Sequence, residues 1–200
     1  MTEIIVPDYS AMVITNLTPN FPSRVNRSAW TGKRKVVGQP GGENWTGKLI
    51  VPDIATEIEE RKWRAFLVAL RGPQNWFKWF LPCQAHSGAK PLVNNTPAPG
   101  YELSLDGMTP STTILTAGCF LTVPLPSGHK RLVCLTEDMV TNSSGQAIAR
   151  FGPALGEIPA NNVEVESKAP YIPLALTNTN TGIDYSDAIA GIELDVEEAK

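Results

Sequence analysis

The segment from residue 52 to residue 81, PDIATEIEERKWRAFLVALRGPQNWFKWFL, contains the one long helical pattern in this sequence. Four apolar residues recur at intervals of three and four, which places them on one face of a helix. They are Trp63, Phe66, Leu67 and Leu70. Four aromatic residues then follow between Trp76 and Phe80, a density that indicates a strand packed under the helix. The remaining chain has the patterns of strands and turns, so we expect a mainly β protein with one α-helix.

Both ends of this helix have sequence signals. At the start, either Asp53 can cap the first amide groups, or Thr56 and Glu59 can form a capping box. At the end, Gly72 is followed directly by Pro73, which cannot continue a helix.

Composition limits the classes of function. The formal net charge is −3, and the lysines and arginines cluster at residues 24–35 and 61–71 without the density typical of nucleic-acid binding. No stretch approaches the roughly 20 apolar residues of a membrane span. The N-terminus lacks the basic and apolar regions of a signal peptide, which predicts a protein made inside a cell.

The first fifty residues predict a strand and a hairpin. Residues 11–17 form an apolar run that two prolines end. The tetrapeptide WTGK then occurs twice, at 30–33 and at 45–48, on either side of the sequence GQPGG. The two copies fit either an internal repeat or two strands of a hairpin around GQPGG, and we favour the hairpin.

The second half of the chain predicts an inserted β-domain. Residues 82–100 have the composition of a linker. Short strands then alternate with turns at Asp106-Gly107, Gly118, Ser127-Gly128 and residues 143–145. The predicted strands are Thr113–Leu115, Phe120–Leu125, Arg131–Thr136, Ala147–Phe151 and Asn162–Glu166. Five short strands with tight turns are typical of a small barrel or sandwich.

The last segment predicts two more strands, residues 171–176 and 192–197. In the second, apolar residues alternate with Glu193, Asp195 and Glu197, so one face is buried and the other acidic. Two strands are too few for a domain, and we expect them to join the sheet begun by residues 11–17. The predicted domains are therefore 1–91 with 168–200, and 92–167.

Motifs of catalysis and cofactor binding are missing from the sequence. The two histidines, His86 and His129, lack zinc-site spacing, and no nucleophile elbow or phosphate-binding glycine loop occurs. The three cysteines form no CxxC pair, and we expect Cys119 and Cys134 to be buried thiols. The sequence therefore predicts no catalytic residues, no cofactor and no metal.

Three segments together follow a pattern seen in one protein family. They are LVALRGPQNWFKWFLP at residues 67–82, PGYELSLDGMTPSTTILTAGCFLTV at residues 99–123 and SSGQAIARFGPAL at residues 143–155. They resemble the distal tail or minor tail proteins at the tail tip of long-tailed bacteriophages, over roughly residues 45–155. One departure is Cys119, which stands where the family pattern has an aspartate.

The resemblance implies a structural virion protein rather than an enzyme. Its expected fold is a tail-tube-like β-sandwich flanked by a helix, with an inserted small β-barrel or sandwich domain. Such proteins assemble with themselves into a ring, commonly a hexamer with a trimer as the alternative, that joins the tail tube protein to the hub or baseplate proteins. The expected location is the tail tip of the virion after synthesis in the host cytoplasm, with DNA only in passage and no membrane.

In such a ring, the tryptophans and the acidic strand have candidate roles. Trp30, Trp45, Trp76 and Trp79 are candidate anchors of the assembly interface, although the same residues can simply fill the protomer core. Glu193, Asp195 and Glu197 are candidates to face the lumen, where negative charge limits adhesion of passing DNA.

Two other classes of function stay open. The inserted domain can bind a carbohydrate or receptor, for which Tyr101, Phe120 and Phe151 are its aromatic residues. A tail-attached peptidoglycan hydrolase would instead need a cleft with convergent titratable groups, and His86 or His129 would be essential to it.

Overall fold

The computed structural model describes residues 1–39, 42–81, 86, 88–95, 98–179, 181–183 and 190–200. Within these residues the protein is mainly β with one α-helix, as the sequence predicts. The helix is α1 (Glu57–Leu70). The strands are β1 (Val13–Asn20), β2 (Ser23–Arg27), β3 (Arg34–Gly38), β4 (Asn44–Ile54), β5 (Trp76–Phe80), β6 (Leu92–Val93), β7 (Glu102–Asp106), β8 (Thr113–Leu115), β9 (Phe120–Pro124), β10 (Lys130–Leu135), β11 (Met139–Val140), β12 (Ala147–Gly152), β13 (Tyr171–Leu176) and β14 (Ala190–Glu198).

The chain divides into two compact units. The first unit contains residues 1–18, 45–80 and 172–200, and the second contains residues 19–44 and 81–171. The predicted boundaries placed residues 19–44 in the first domain, whereas the structure groups them with the second unit. Residues 81–91 also group with the second unit, and within the predicted linker Leu92 and Val93 form strand β6.

The first unit is built on a five-stranded sheet with the order β1-β4-β14-β13-β5. The C-terminal strands therefore join the sheet that β1 begins, as predicted. Strands β4 and β14 are antiparallel, with Leu49 opposite Leu194 and Lys48 opposite Asp195. Because opposed residues share a face, this register separates a buried apolar face from an exposed face carrying Glu193, Asp195 and Glu197.

Helix α1 packs its apolar face inward, as its spacing predicts. Trp63, Phe66, Leu67 and Leu70 are all buried. The ring of Phe66 meets the ring of Phe77 on β5 edge-to-face, with 5.4 Å between centroids. The strand that the aromatic cluster predicted is thus present and in contact with the helix.

Both ends of the helix follow the signals in the sequence. Thr56 and Glu59 form the capping box, each side chain bonding to the backbone N–H of the other residue. At the other end the C-cap is Arg71, with φ of 51°, and Gly72 follows it with φ of 62°. The N–H of Arg71 donates to the carbonyl oxygen of Val68, which closes the last turn just before Gly72 and Pro73.

The second unit has a sheet with the order β6-β7-β12-β10-β9, the pair β8-β11 and the hairpin β2-β3. Four of the five strands predicted for the insert are present, and each predicted turn has its glycine at positive φ. The fifth predicted strand, residues 162–166, makes only isolated bridges, of which one joins Glu166 to Thr122. Its alternation is nevertheless real, because Val165 is fully buried while Glu164 is exposed.

The predicted hairpin around GQPGG is wrong. The partner of β3 is β2, and their turn is formed by residues 28–33, which contain the first WTGK. The second WTGK lies inside β4 and pairs with β14. Strands β3 and β4 therefore belong to different sheets, and the two identical tetrapeptides have different conformations.

A buried polar network joins Glu43, at the end of residues 19–44, to other residues of the second unit. Glu43 is 4% exposed, and its carboxylate accepts hydrogen bonds from the hydroxyl of Tyr101 and the backbone N–H of Ala154, both at 2.5 Å. Arg131, 3% exposed, donates through Nη2 to the carbonyl oxygen of Glu43 at 2.9 Å. The hydrogen bond from Tyr101 to Glu43 also raises the pKa of that phenol.

Candidate assembly surfaces

The four candidate tryptophans occupy three different environments. Trp45 and Trp79 are core residues, 3% and 7% exposed, and Trp76 is half-buried on β5. Trp30 is 97% exposed in the turn between β2 and β3. Trp45 and Trp79 therefore fit the alternative that these residues fill the protomer core, and Trp30 is the exposed member of the set.

The three predicted acidic residues do share one surface, which we call the acidic stripe: Glu193, Asp195 and Glu197 on β14. All three are exposed. Lys48 on the neighbouring strand forms a hydrogen-bonded ion pair with Glu193. The hydrogen bond to Glu193 raises the pKa of the Lys48 ammonium. One lysine facing three carboxylates leaves the stripe with excess negative charge.

The β2-β3 hairpin is a further candidate surface. The sequence indicated only that residues 24–35 are basic. Every residue of both strands is exposed. Val25, Val36 and Val37 are 49%, 50% and 46% exposed, beside a set of five cations. That set is Arg24, Arg27, Lys33, Arg34 and Lys35. The signal available in the sequence was the complete lack of acidic residues from 19 to 42.

The sheet of the first unit has one covered and one open edge. At β5, residues 2–4 pair in parallel with Trp76, and the N–H of Ile4 donates to its carbonyl oxygen at 2.7 Å. At the other edge, β1 bonds to β4 and to no further strand in the described chain. Its sequence, VITNLTPN, has no charged residue. Strand β1 therefore lacks the charges with which proteins usually protect an edge strand.

A shallow groove of about 520 Å³ lies in the second unit. Its polar lining includes Asn142, Gln146 and Arg150. Asn142 already accepts bonds from the N–H groups of Ser144 and Gln146, and Arg150 is held by Glu102 and Glu137. None of the three aromatic residues considered for carbohydrate binding lines this groove, so it lacks a stacking platform for a sugar.

His86 lies beside a hydroxyl group. Its Nδ1 is 2.7 Å from the Oγ of Ser167, an arrangement that resembles part of a nucleophile–base pair. Ser167 is however fully buried, so its hydroxyl cannot reach a substrate in this structure. The contact links the segment before β6 to the segment after β12, which is a structural role.

The environment of His86 predicts a pH-dependent stability. Burial lowers the pKa of His86, the charge of Lys168 lowers it further, and Glu166 partly opposes both. The unfolded chain therefore binds more protons than the folded chain as pH falls through about 6.5, so stability decreases there. We expect thermal unfolding temperatures measured at pH 8 and pH 5.5 to differ less for His86→Asn than for the natural protein. An equal pH dependence in the two proteins would contradict this assignment.

The cysteines are less buried than predicted. Cys119 and Cys134 are free and half-buried rather than fully buried, because both lie near one end of the β9-β10 pair. Partial burial raises the pKa of Cys134, which keeps its thiol protonated at neutral pH. Cys83 lies outside the described residues.

Among the described residues no group of histidine, cysteine or acidic side chains could hold a metal ion. No described helix is long and apolar enough to cross a membrane. Comparison with known protein families finds no match to this chain, and comparison with curated proteins finds no similar sequence.

Proposed function

We propose that this protein is a structural component of a bacteriophage tail tip, where copies of it form a ring between the tail tube and the hub or baseplate. The observation that carries the proposed assembly is the open edge of the first unit's sheet at β1. An uncharged, eight-residue edge strand is prone to pairing with other chains, and a ring uses that tendency productively. The tail tip as the location rests on the sequence resemblance.

The segments that carry the resemblance fall on defined elements of the fold. The first runs from α1 into the apolar strand β5, and the other two contain strands β7 to β9 and strand β12. In this proposal the partners are other copies of the chain, the tail tube protein and the hub or baseplate proteins. DNA only passes through the ring, and sixfold symmetry is the expected order.

The edge can be tested by adding charge to it. Val13 and Asn16 are exposed residues of β1, and lysine on an edge strand opposes pairing with another strand. We expect light scattering and negative-stain images to show rings with a central hole for the natural protein, and monomers for Val13→Lys combined with Asn16→Lys.

The matched control places two lysines on exposed positions of the second unit, Val140→Lys with Ser143→Lys. This variant should form rings as the natural protein does. A natural protein that stays monomeric at every concentration, with or without tail tube protein as a template, would overturn the proposal.

Carbohydrate or receptor binding is the second candidate function. The groove with Gln146 and Arg150 is the feature that favours it, although the engaged side chains and missing aromatic platform weaken the case. Binding of the monomer to a glycan array, lost in Gln146→Ala, would shift the conclusion to this candidate.

A further inference from the structure

The β2-β3 hairpin is so exposed that we expect a further surface to cover it. A two-stranded hairpin is at best marginally stable in water unless a further surface covers it. Here both strands are exposed along their whole length, and Trp30 at the turn is 97% exposed. The exposed valines and tryptophan indicate that a protein surface covers the hairpin in the working assembly.

The charge pattern of the hairpin specifies the sign of that surface. Arg27 lies directly opposite Arg34, a like-charge pair that destabilises the hairpin unless negative charge is brought to it. On the same face Val25 lies opposite Val36, and no described residue forms an ion pair with either arginine. The missing partner must therefore offer carboxylates beside an apolar or neutral surface.

Nucleic acid and lipid fit this pattern less well than protein. A phosphate backbone would satisfy the arginines but would leave the half-exposed valines uncovered. An anionic bilayer accepts a helix or hairpin that has one apolar and one charged side. Here Val37 lies opposite Arg24 on the second face, so both faces mix apolar and cationic residues.

The acidic stripe supplies the required chemistry on this same chain. Several other described acidic groups are already matched by cations, as Glu57 is by Arg61 and Glu60 is by Arg64. The stripe sets three carboxylates against Lys48 alone, and Glu197 has no ion pair among the described residues. The three carboxylates of the stripe lie at every second residue of β14, which separates neighbouring members by about 6.7 Å. Val25 and Arg27 on the hairpin are also two residues apart on one strand and have the same spacing.

We propose that the β2-β3 hairpin of one copy docks on the acidic stripe of a second copy. The contact is head-to-tail, because it joins two different surfaces, and such contacts generate rings when they close. The inference rests on the proposed ring-forming function. It assigns the stripe to the contact between copies instead of to the lumen wall.

Charge reversal on each side gives a decisive test. The first variant is Arg27→Glu with Arg34→Glu, and the second is Asp195→Lys with Glu197→Lys. Each variant places like charges on both sides of its own contact, so self-association should weaken at least about 100-fold. An equimolar mixture restores opposite charges at every contact and should recover assemblies of alternating composition. The readouts are light scattering and negative-stain images, with circular dichroism to confirm folding.

A control variant distinguishes an effect of the two contact surfaces from an effect of the net charge. Lys62→Glu with Lys168→Glu changes the net charge as the first variant does, but at exposed positions outside both surfaces, and should assemble normally.

The possible outcomes distinguish failure of the hairpin contact from failure of the proposed ring. Rings that persist in both reversed variants would overturn the hairpin contact, keep the proposed function and return the stripe to the lumen. Dimers or open chains that the reversals abolish and mixing restores would support the contact and overturn the ring. Monomers for the natural protein and for the mixture would overturn both.

Discussion

Replacement of Arg131 by methionine is expected to lower the free energy of unfolding of the second unit by about 2–6 kcal/mol, since two buried acceptors each lose a charged donor. The guanidinium is almost fully buried and donates to the carbonyl oxygens of Glu43 and Ala154, at 2.9 Å and 3.2 Å. Methionine fills similar space but donates no hydrogen bond. The substitution therefore leaves the two buried carbonyl oxygens without these hydrogen-bond donors.

The readout for Arg131→Met must report on the second unit. Four of the five tryptophans, at positions 45, 63, 76 and 79, belong to the first unit, so fluorescence would report on the wrong one. Hydrogen exchange of peptides from residues 81–171 is the suitable measurement. Arg150→Met is the matched control, since Arg150 is half exposed and its ion pairs with Glu102 and Glu137 are at the surface. Equal losses for the two variants would contradict a special role for the buried network.

Replacement of Gly47 by alanine is expected to destabilise the first unit by about 3 kcal/mol. A Cβ atom at this position would lie 2.6 Å from the carbonyl oxygen of Asn16 on the neighbouring strand β1. That oxygen belongs to the backbone, so it cannot move away by a side-chain rotation. Strand β1 would have to shift from β4, which weakens the hydrogen bonds between them. Urea unfolding followed by tryptophan fluorescence measures this loss directly.

Gly32 is the matched control, because it is the glycine of the other WTGK copy. A Cβ atom there would meet nothing within 4 Å, but its φ of 64° is unfavourable for alanine. Gly32→Ala should cost about 1 kcal/mol in the local hairpin and leave the first unit unchanged. A loss in the first unit as large as that for Gly47→Ala would contradict the assignment of different environments.

Local patterns predicted the elements that depend on near neighbours in the chain. The spacing from Trp63 to Leu70 identified the helix and its buried face, and Thr56 with Glu59 identified its cap. The turns of the second unit followed from their glycines, for example Gly145. The alternation along residues 192–197 identified β14 and its acidic face, which is the candidate site that sequence located correctly as one surface.

Partners that are distant in sequence could not be predicted in the same way. The contact of Ser167 with His86 spans 81 residues, and the bond from Ala154 to Glu43 spans 111. Nothing in the local pattern near Glu43 indicates a buried carboxylate, because burial of charge depends on the donors that the fold brings to it. For this reason the local pattern did not indicate that residues 19–44 group with the second unit.

The two WTGK copies show that local sequence alone does not determine conformation. The same four residues form an exposed turn at 30–33 and part of strand β4 at 45–48. Trp30 is almost fully exposed, whereas Trp45 is in the core and donates its backbone N–H to Glu198 at 3.2 Å. By itself the sequence determined the helix, most strands and their apolar faces, since these depend on residues within a few positions of each other. The tertiary structure alone decided which strands pair and which tryptophan faces solvent, because those depend on hydrogen bonds and packing between residues far apart in the chain.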